Sequence, residues 1–249
     1  MLAPLAAVSA ASLAYEVALV HLLSIAHWTH FAALVIGLAL LGIGASGSLL
    51  AVARPLLEGR ERAAFAVAAL GAALAFDPAW RLAASIPFDA FELLAVPRQF
   101  LWLALVTLAL AVPFLLAGST VALAFELAPD RIGHVYAANL AGSGLGALAG
   151  LAAVAFVPAG RVPAAVALLG GLAAIFLFRR GWLVPLALAA WLAVGPGASI
   201  PVSDYKEGSQ ALRLPDAEVI DRRDGPLGRL ELIGAPSLRY LPGLSLAQQ

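Results

Sequence analysis

The sequence lacks cysteine altogether and is poor in charged residues. The absence of cysteine excludes disulfides, thiolate nucleophiles and cysteine-ligated metal sites, but it says nothing about the compartment. Charged residues are only 12% of the chain and the formal net charge is zero, so the basic face that nucleic-acid binding requires is missing. Lys206 is the single lysine beside 14 arginines. Together with the abundance of Ala, Leu and Gly, this arginine bias indicates a GC-rich, bacterial coding sequence.

Long apolar runs take the place of the missing charge. Hydrophobic residues make up 62% of the chain, against roughly 45–50% in soluble domains, and several windows exceed the about 20 apolar residues that cross a bilayer. We therefore predict an all-α polytopic membrane bundle in a bacterial inner (plasma) membrane, with the lipid bilayer as its surroundings. About seven transmembrane helices are expected, with six or eight left open, at residues 2–26, 31–53, 63–76, 99–127, 132–157, 162–178 and 182–194. The stretch 77–98, which mixes Pro, Trp, Phe and acids, is predicted to lie along the membrane interface or to fold back.

The arginines of the connecting loops predict the orientation, because cytoplasmic loops carry an excess of Lys and Arg. With seven spans, six loop arginines fall on the side of the N-terminus and three on the opposite side. This majority favours a cytoplasmic N-terminus and places the C-terminal segment outside. The six are Arg54, Arg60, Arg62, Arg131, Arg179 and Arg180, and the three are Arg81, Arg98 and Arg161.

The last 50 residues differ in composition from the rest. They hold 13 of the 30 charged residues, and apolar and polar residues alternate at 218–221 and 229–233, as they do in strands. Residue types predict turns at 224–228 and 241–243. We therefore divide the chain into a transmembrane helical domain, 1–198, and a soluble β-hairpin or meander, 199–249. A β segment this short rarely folds alone, so it is expected to be the start of a truncated soluble domain.

Two groups of glycines favour helix packing over nucleotide binding. Residues 42–47 match G-x-G-x-x-G, but that fingerprint needs a strand before it and a helix after it, and here it lies inside an apolar span. Small residues let membrane helices approach closely. We assign this role to Gly42 and Gly47 in the second helix, and to Gly142, Gly146 and Gly150, which repeat every four residues in the fifth.

Glu16 is the most informative polar residue, because it lies in the middle of the first span beside Tyr15. An ionisable group at that depth is costly and marks a functional site or a paired interior position. Two interpretations stay open. Either Glu16 handles a substrate or ion, or it is protonated or hydrogen-bonded to Tyr15 or His21 and only locks helices together. Asn139, in the fifth helix, is predicted to form an interhelical hydrogen bond.

No catalytic, cofactor or metal site is predicted. His27 and His30 are three residues apart, but they straddle a predicted helix end without a matching carboxylate. Anchoring at the membrane interface is therefore favoured over metal or haem binding. Elsewhere no Ser-His-Asp ordering, P-loop or pair of catalytic carboxylates stands out.

Several motifs, in order along essentially the whole chain, resemble those of the membrane-fused spermidine synthase-like proteins (fused MFS/spermidine synthase). The first helix carries SLAYEV at 12–17 and HLL at 21–23, and the second carries GLALLG at 37–42 and GS at 47–48. Later glycine-rich helices of the family are similar to PFLLAG at 113–118 and YAANLAGSGLG at 136–146. The family's small β-domain and the stretch beyond it resemble DGPLGRLE at 224–231 and YLPGLSL at 240–246. Where the family commonly has Arg, this chain has His21, which replaces a permanent charge partner of Glu16 by a titratable one.

The resemblance implies a polyamine aminopropyltransferase architecture, in which a Rossmann-like domain binds decarboxylated S-adenosylmethionine and acidic residues hold the diamine. No such domain follows within the 249 residues, so we expect no cofactor and no catalysis from this chain. The expected function is the membrane module of such a protein, which anchors it or moves or senses a polyamine-like solute. One alternative is a small transporter or permease-like protein for a cationic solute, with Glu16 as its carboxylate. Another is a structural membrane subunit, alone or as a homo-oligomer, that docks a soluble partner.

Overall fold

The computed structural model describes residues 1–28 and 32–236 of the chain. Six helical segments in these ranges are long and apolar enough to cross a membrane, so by length and composition the chain is an integral membrane protein. They are α1 (Leu2–Ala26), α2 (Ala32–Leu57), α3 (Glu61–Ser85), α4 (Arg98–Leu127), α5 (Ile132–Phe156) and a sixth segment made of α6 (Val162–Gly171) and α7 (Ala173–Leu177).

A further apolar helix, α8 (Leu183–Val194), is too short to cross a membrane by itself, but together with the non-helical residues that follow it the chain passes from the end of the bundle at Leu177 to the end at Ala26. Its 12 residues extend about 18 Å as a helix, and the residues on either side of it are not helical. The predicted count of seven is therefore approximate: the described residues form six long spans and one short apolar helix.

The prediction of a short third helix at 63–76 is wrong, because α3 continues to Ser85. Pro78 lies inside α3, and its missing N–H frees only one carbonyl, a loss that neighbouring helices of a membrane bundle tolerate. Asp77 is also held within the helix, since Arg81 Nε donates a hydrogen bond to its carboxylate one turn later, at 2.7 Å. Only the second part of the stretch 77–98 is a connection, and it contains a 3-10 turn at Ala90–Glu92.

α1 lies at the centre of the bundle and packs against all the other long helices. Fifteen of its 25 residues are buried, and they are spread around the helix rather than along one face, as expected for a helix that is apolar on all sides. By contrast, α2 and α5 are the least buried of the long helices. Their exposed surfaces are apolar, which suits contact with lipid.

The chain ends of the described part lie at opposite ends of the bundle. At one end, Met1 lies beside the connection between α4 and α5, and Leu177 at the end of α7 packs near Leu5. At the other end, the backbone N–H of Ser203 donates to the carbonyl of Ala26 at 2.8 Å. The chain after α8 is therefore bound where α1 ends, far from the N-terminus.

The soluble segment contains a two-stranded antiparallel hairpin, β1 (Glu218–Gly225) and β2 (Gly228–Gly234), which confirms the predicted strands and the turn between them. A short helix, α9 (Glu207–Ala211), precedes the hairpin and was not predicted. Gly228 follows the turn with φ of +142°, a conformation that a residue with a Cβ rarely adopts. The turn predicted at 241–243, the motif at 240–246 and His30 lie outside the described residues.

Candidate functional site

Polar residues of α1 share one face of the helix and line a cavity. Ser9, Ser12 and Glu16 are three and four residues apart, a spacing that aligns them on an α-helix. Together with α2, α4 and α5, this face encloses a half-open space of about 390 Å³. The other lining residues include Ala39, Ile43, Ser46 and Gly47 of α2, Phe114, Val121 and Phe125 of α4, and Asn139 and Ser143 of α5.

Glu16 is the one ionisable side chain among the described residues that line this cavity. It lies ten residues before the end of α1, about 15 Å along the helix axis, and therefore near the middle of the span. Its side chain is half-buried and forms no hydrogen bond or ion pair with the described part of the chain. A carboxylate in such apolar surroundings is costly unless it binds a proton or a cation.

Two of the four serine hydroxyl groups that line the cavity offer only acceptors to it. Ser9 Oγ donates to Asn139 Oδ1 at 2.7 Å, which joins α1 to α5, and buried Ser46 Oγ donates to the carbonyl of Ile43 at 2.6 Å. Because each hydroxyl has a single proton, these two present only lone pairs to the cavity. Together with the Glu16 carboxylate, and with no basic side chain among the described lining residues, these lone pairs suit the N–H groups of a cation better than they suit an anion.

Tyr15 and His21, which the sequence grouped with Glu16, lie away from the cavity. Successive residues on a helix point about 100° apart, and the Tyr15 ring turns into the core, with its centroid 5.0 Å from that of Phe76 and 5.6 Å from that of Phe114. His21 is buried further along α1. The Tyr15 hydroxyl and His21 Nε2 have no hydrogen-bond partner among the described residues, so neither holds Glu16.

Gly142, Gly146 and Gly150 lie at the contact between α5 and α1. A Cβ on Gly142 or Gly146 would collide with the α1 backbone, and one on Gly150 would lie 3.0 Å from the nearest α1 backbone atom. Absence of a side chain therefore sets how closely these two helices approach. The α1 residues opposite the three glycines are Ala6, Ala10 and Ala14.

The two glycines singled out in α2 occupy different surroundings. Gly42 packs on α4, where a Cβ would lie 2.5 Å from Phe114 Cβ. Gly47 lines the cavity and has no described atom within 4 Å of the position that a Cβ would take. Gly42 is thus a packing position, whereas Gly47 borders open space.

A second polar cluster lies where α1 ends. Lys206 Nζ donates to the carbonyls of Ser24 and Ile25 at 2.7 and 2.8 Å, which neutralises part of the negative end of the helix dipole. Burial lowers the pKa of the Lys206 ammonium. Ser203 Oγ donates to Asp89 Oδ2 at 2.7 Å. All of these bonds join the chain after α8 to the bundle, so the cluster is structural.

The sequence did not lead us to predict that Ser9, Ser12 and Ser46 line a cavity, or that Lys206 and Ser203 bind where α1 ends. Ser9 and Ser12 carried a usable signal, because they continue the face of α1 that contains Glu16. Ser46 and Lys206 carried none, since their places depend on contacts between distant segments.

Within residues 1–28 and 32–236, no group of three or more His, Asp or Glu side chains is placed to hold a metal ion. Comparison with known proteins finds no family model, curated protein or solved structure that matches the chain. The cavity and its carboxylate are therefore the features on which a function can be argued.

Proposed function

We propose that this chain binds a small cationic solute in the cavity between α1, α2, α4 and α5, and that Glu16 pairs with the cation. The observation that carries the proposal is an unpaired carboxylate that faces a cavity in the middle of a membrane span. Burial of an isolated charge is costly, and a bound cation removes that cost. The acceptor groups of Ser9 and Ser46 support the same sign of ligand.

The depth of the site supports movement or sensing of the solute rather than catalysis. Intramembrane carboxylates that face a cavity typically mark substrate and ion pathways. A transporter or permease-like activity for an amine is the form of this function that we propose to test first.

The test is binding of butylamine, 1,4-diaminobutane and octylamine to the detergent-solubilised protein, measured by native mass spectrometry. We expect at least one probe to bind one to one and Glu16→Gln to weaken it at least tenfold, because the substitution removes one partner of a buried charge pair. Glu126→Gln is the matched control, since Glu126 is exposed on α4 and outside the cavity lining. Failure of every probe, or equal binding to the Glu16 variant, contradicts the proposal.

Uptake separates transport from sensing. The probe that binds, in radiolabelled form, should enter proteoliposomes that contain the natural protein faster than protein-free liposomes, and should enter those that contain Glu16→Gln only at the passive rate of protein-free liposomes. Binding without uptake assigns the site to sensing.

We also propose that the chain is the membrane module of a spermidine synthase-like protein. The hairpin supports this, because Ile220, Leu230 and Leu232 are 60, 75 and 58% exposed and so need cover from further soluble structure. A structural subunit that docks a separate soluble partner would use the same surface. Reading the gene beyond codon 249 tests the proposal of a spermidine synthase-like membrane module. A reading frame that continues into a strand, glycine-rich loop and helix supports this proposal, and a stop codon contradicts it.

A further inference from the structure

We infer that the ligand of the Glu16 cavity is an amine with one ammonium group and an apolar chain, which reaches the cavity from the lipid between α2 and α5. This inference rests on the proposed function and narrows it to one substrate class. An amine with a single ammonium group differs from the polyamine-like solute that the sequence resemblance implies.

The number of charges at the cavity sets the number of charges on the ligand. Glu16 is the single acid among the described lining residues, so it can pair with one ammonium group. A second ammonium would lie among hydroxyl and apolar groups without a carboxylate, and a buried charge without a partner is strongly disfavoured. Diamines and polyamines are therefore poor ligands for this cavity.

The same reasoning excludes an intact phospholipid. No Arg, Lys or His side chain is among the described residues that line the cavity. A phosphate would therefore lie near the Glu16 carboxylate without a cation to pair with it, and like charges in apolar surroundings repel strongly. The ligand has to carry its ammonium group without a phosphate.

The shape and lining of the cavity fit an apolar chain. Glu16 is the α1 lining residue nearest the C-terminal end of that helix, and Ser9 lies seven residues earlier, about 10 Å along the axis. Beyond Glu16, toward the N-terminal end of α1, the α4 wall consists largely of apolar side chains such as Val121 and Phe125. An ammonium group at Glu16 thus leaves a largely apolar passage for the rest of the molecule, with Ser9 and Ser12 on its α1 side.

The open side of the cavity faces the lipid. α2 and α5 both contribute to the lining, yet in the described part of the chain they form no packed interface with each other. They are also the two long helices with the largest exposed fraction. Since their outer surfaces are apolar, the opening between them leads to the hydrocarbon region, where an amphiphilic amine partitions.

The experiment compares three probes of equal chain length, octylamine, 1,8-diaminooctane and octanol, in native mass-spectrometry titrations of the detergent-solubilised protein. We expect octylamine to bind one to one and the other two at least tenfold more weakly. Binding of 1,8-diaminooctane as tight as that of octylamine overturns the inference. If that diamine binding is lost in Glu16→Gln, the proposed cation site still stands, whereas binding of no probe contradicts both.

A pair of glycine variants tests whether octylamine occupies the α2 side of the cavity, next to the opening. Gly47→Leu fills the α2 side of the cavity and should weaken octylamine binding at least tenfold. Gly44→Leu adds the same side chain to the same helix, where a Cβ also meets no described atom within 4 Å, but outside the cavity lining. It should leave binding unchanged. Equal affinities of the two variants, when both give the natural gel-filtration profile, overturn the placement of octylamine beside Gly47.

Discussion

At the scale of the residue, Asp77 shows how one carboxylate joins two helices. Its Oδ2 accepts hydrogen bonds from Arg81 Nε at 2.7 Å and from Trp191 Nε1 at 2.9 Å. Arg81 also donates through Nη2 to the carbonyl of Pro196 at 2.8 Å. α3 therefore holds α8 through Asp77 and the residues after α8 through Arg81. From the sequence alone, both residues were assigned to the stretch along the membrane interface.

Asp224 joins the hairpin to the bundle in a similar way. Its Oδ1 accepts a hydrogen bond from Arg229 Nε at 2.7 Å, and its Oδ2 accepts one from the backbone N–H of Ala159 at 3.2 Å. The hydrogen bond from Arg229 is the main cause that lowers the pKa of the Asp224 carboxyl below its usual 3.8. A lowered carboxyl pKa stabilises the folded state above the unfolded value, and this contribution is lost as the pH falls through the folded value.

We expect Asp224→Asn to lower the free energy of unfolding by about 1 kcal/mol at pH 7, because both charged side chains keep some contact with water, which screens the pair. Below pH 3.8 the difference between the two proteins should shrink as the Asp224 carboxyl takes up its proton. Denaturant unfolding of the solubilised protein at pH 7, 4 and 3 measures this. A difference that stays constant across the three values contradicts the account.

At the scale of the element, the contact between α1 and α5 depends on glycine. Gly146→Ala should lower the free energy of unfolding by about 2 kcal/mol, because the new Cβ would collide with the backbone of Ala10 and overpacking is costly. Unfolding in mixed detergent micelles measures the change.

Gly144→Ala is the matched control within the same helix. A Cβ at Gly144 meets no described atom within 4 Å, and alanine favours a helix over glycine by up to about 1 kcal/mol. This variant should be at least as stable as the natural protein. Equal losses of stability in the two variants would show that close approach of α5 to α1 is not what Gly146 provides.

Helices were predictable from the sequence where a long apolar run decides the structure alone. α1 and α5 begin and end at or within a residue of the predicted positions, because His27 follows the first, and Arg131 and Pro158 bound the second. α3 was predicted too short because Asp77 and Pro78 read as a helix break. The partner that makes Asp77 acceptable in the helix, Trp191, lies 114 residues further along the chain, and a local pattern cannot reveal such a contact.

The candidate site was predictable only in part, because it too depends on contacts between distant segments of the chain. Glu16 stands out because a carboxylate in an apolar run is rare, and this needs no knowledge of the fold. The neighbours of Glu16 depend on how α1 is rotated in the bundle, which is why Tyr15 and His21 face other surroundings while Ser9 and Ser12 share its cavity. Rotation of a helix that is apolar on all sides is set by packing, and packing cannot be read from composition.

At the scale of the whole molecule, a bundle that crosses the membrane places its N-terminal end and the hairpin on opposite sides, because the two lie at opposite ends of the bundle. The chain has no cysteine, so single cysteines placed at Arg60, Arg131 and Leu227 can be labelled without background. Arg60 and Arg131 lie in connections at the N-terminal end of the bundle, and Leu227 is fully exposed at the hairpin turn. An excess of arginine at the first end predicts that it is cytoplasmic.

The decisive measurement is labelling of these three variants with a membrane-impermeant maleimide, in right-side-out and in inside-out vesicles. Arg60→Cys and Arg131→Cys should react only in inside-out vesicles, and Leu227→Cys only in right-side-out vesicles. Reaction of all three from the same side, or of any one equally in both preparations, would contradict the membrane-crossing bundle on which the site and its ligand depend.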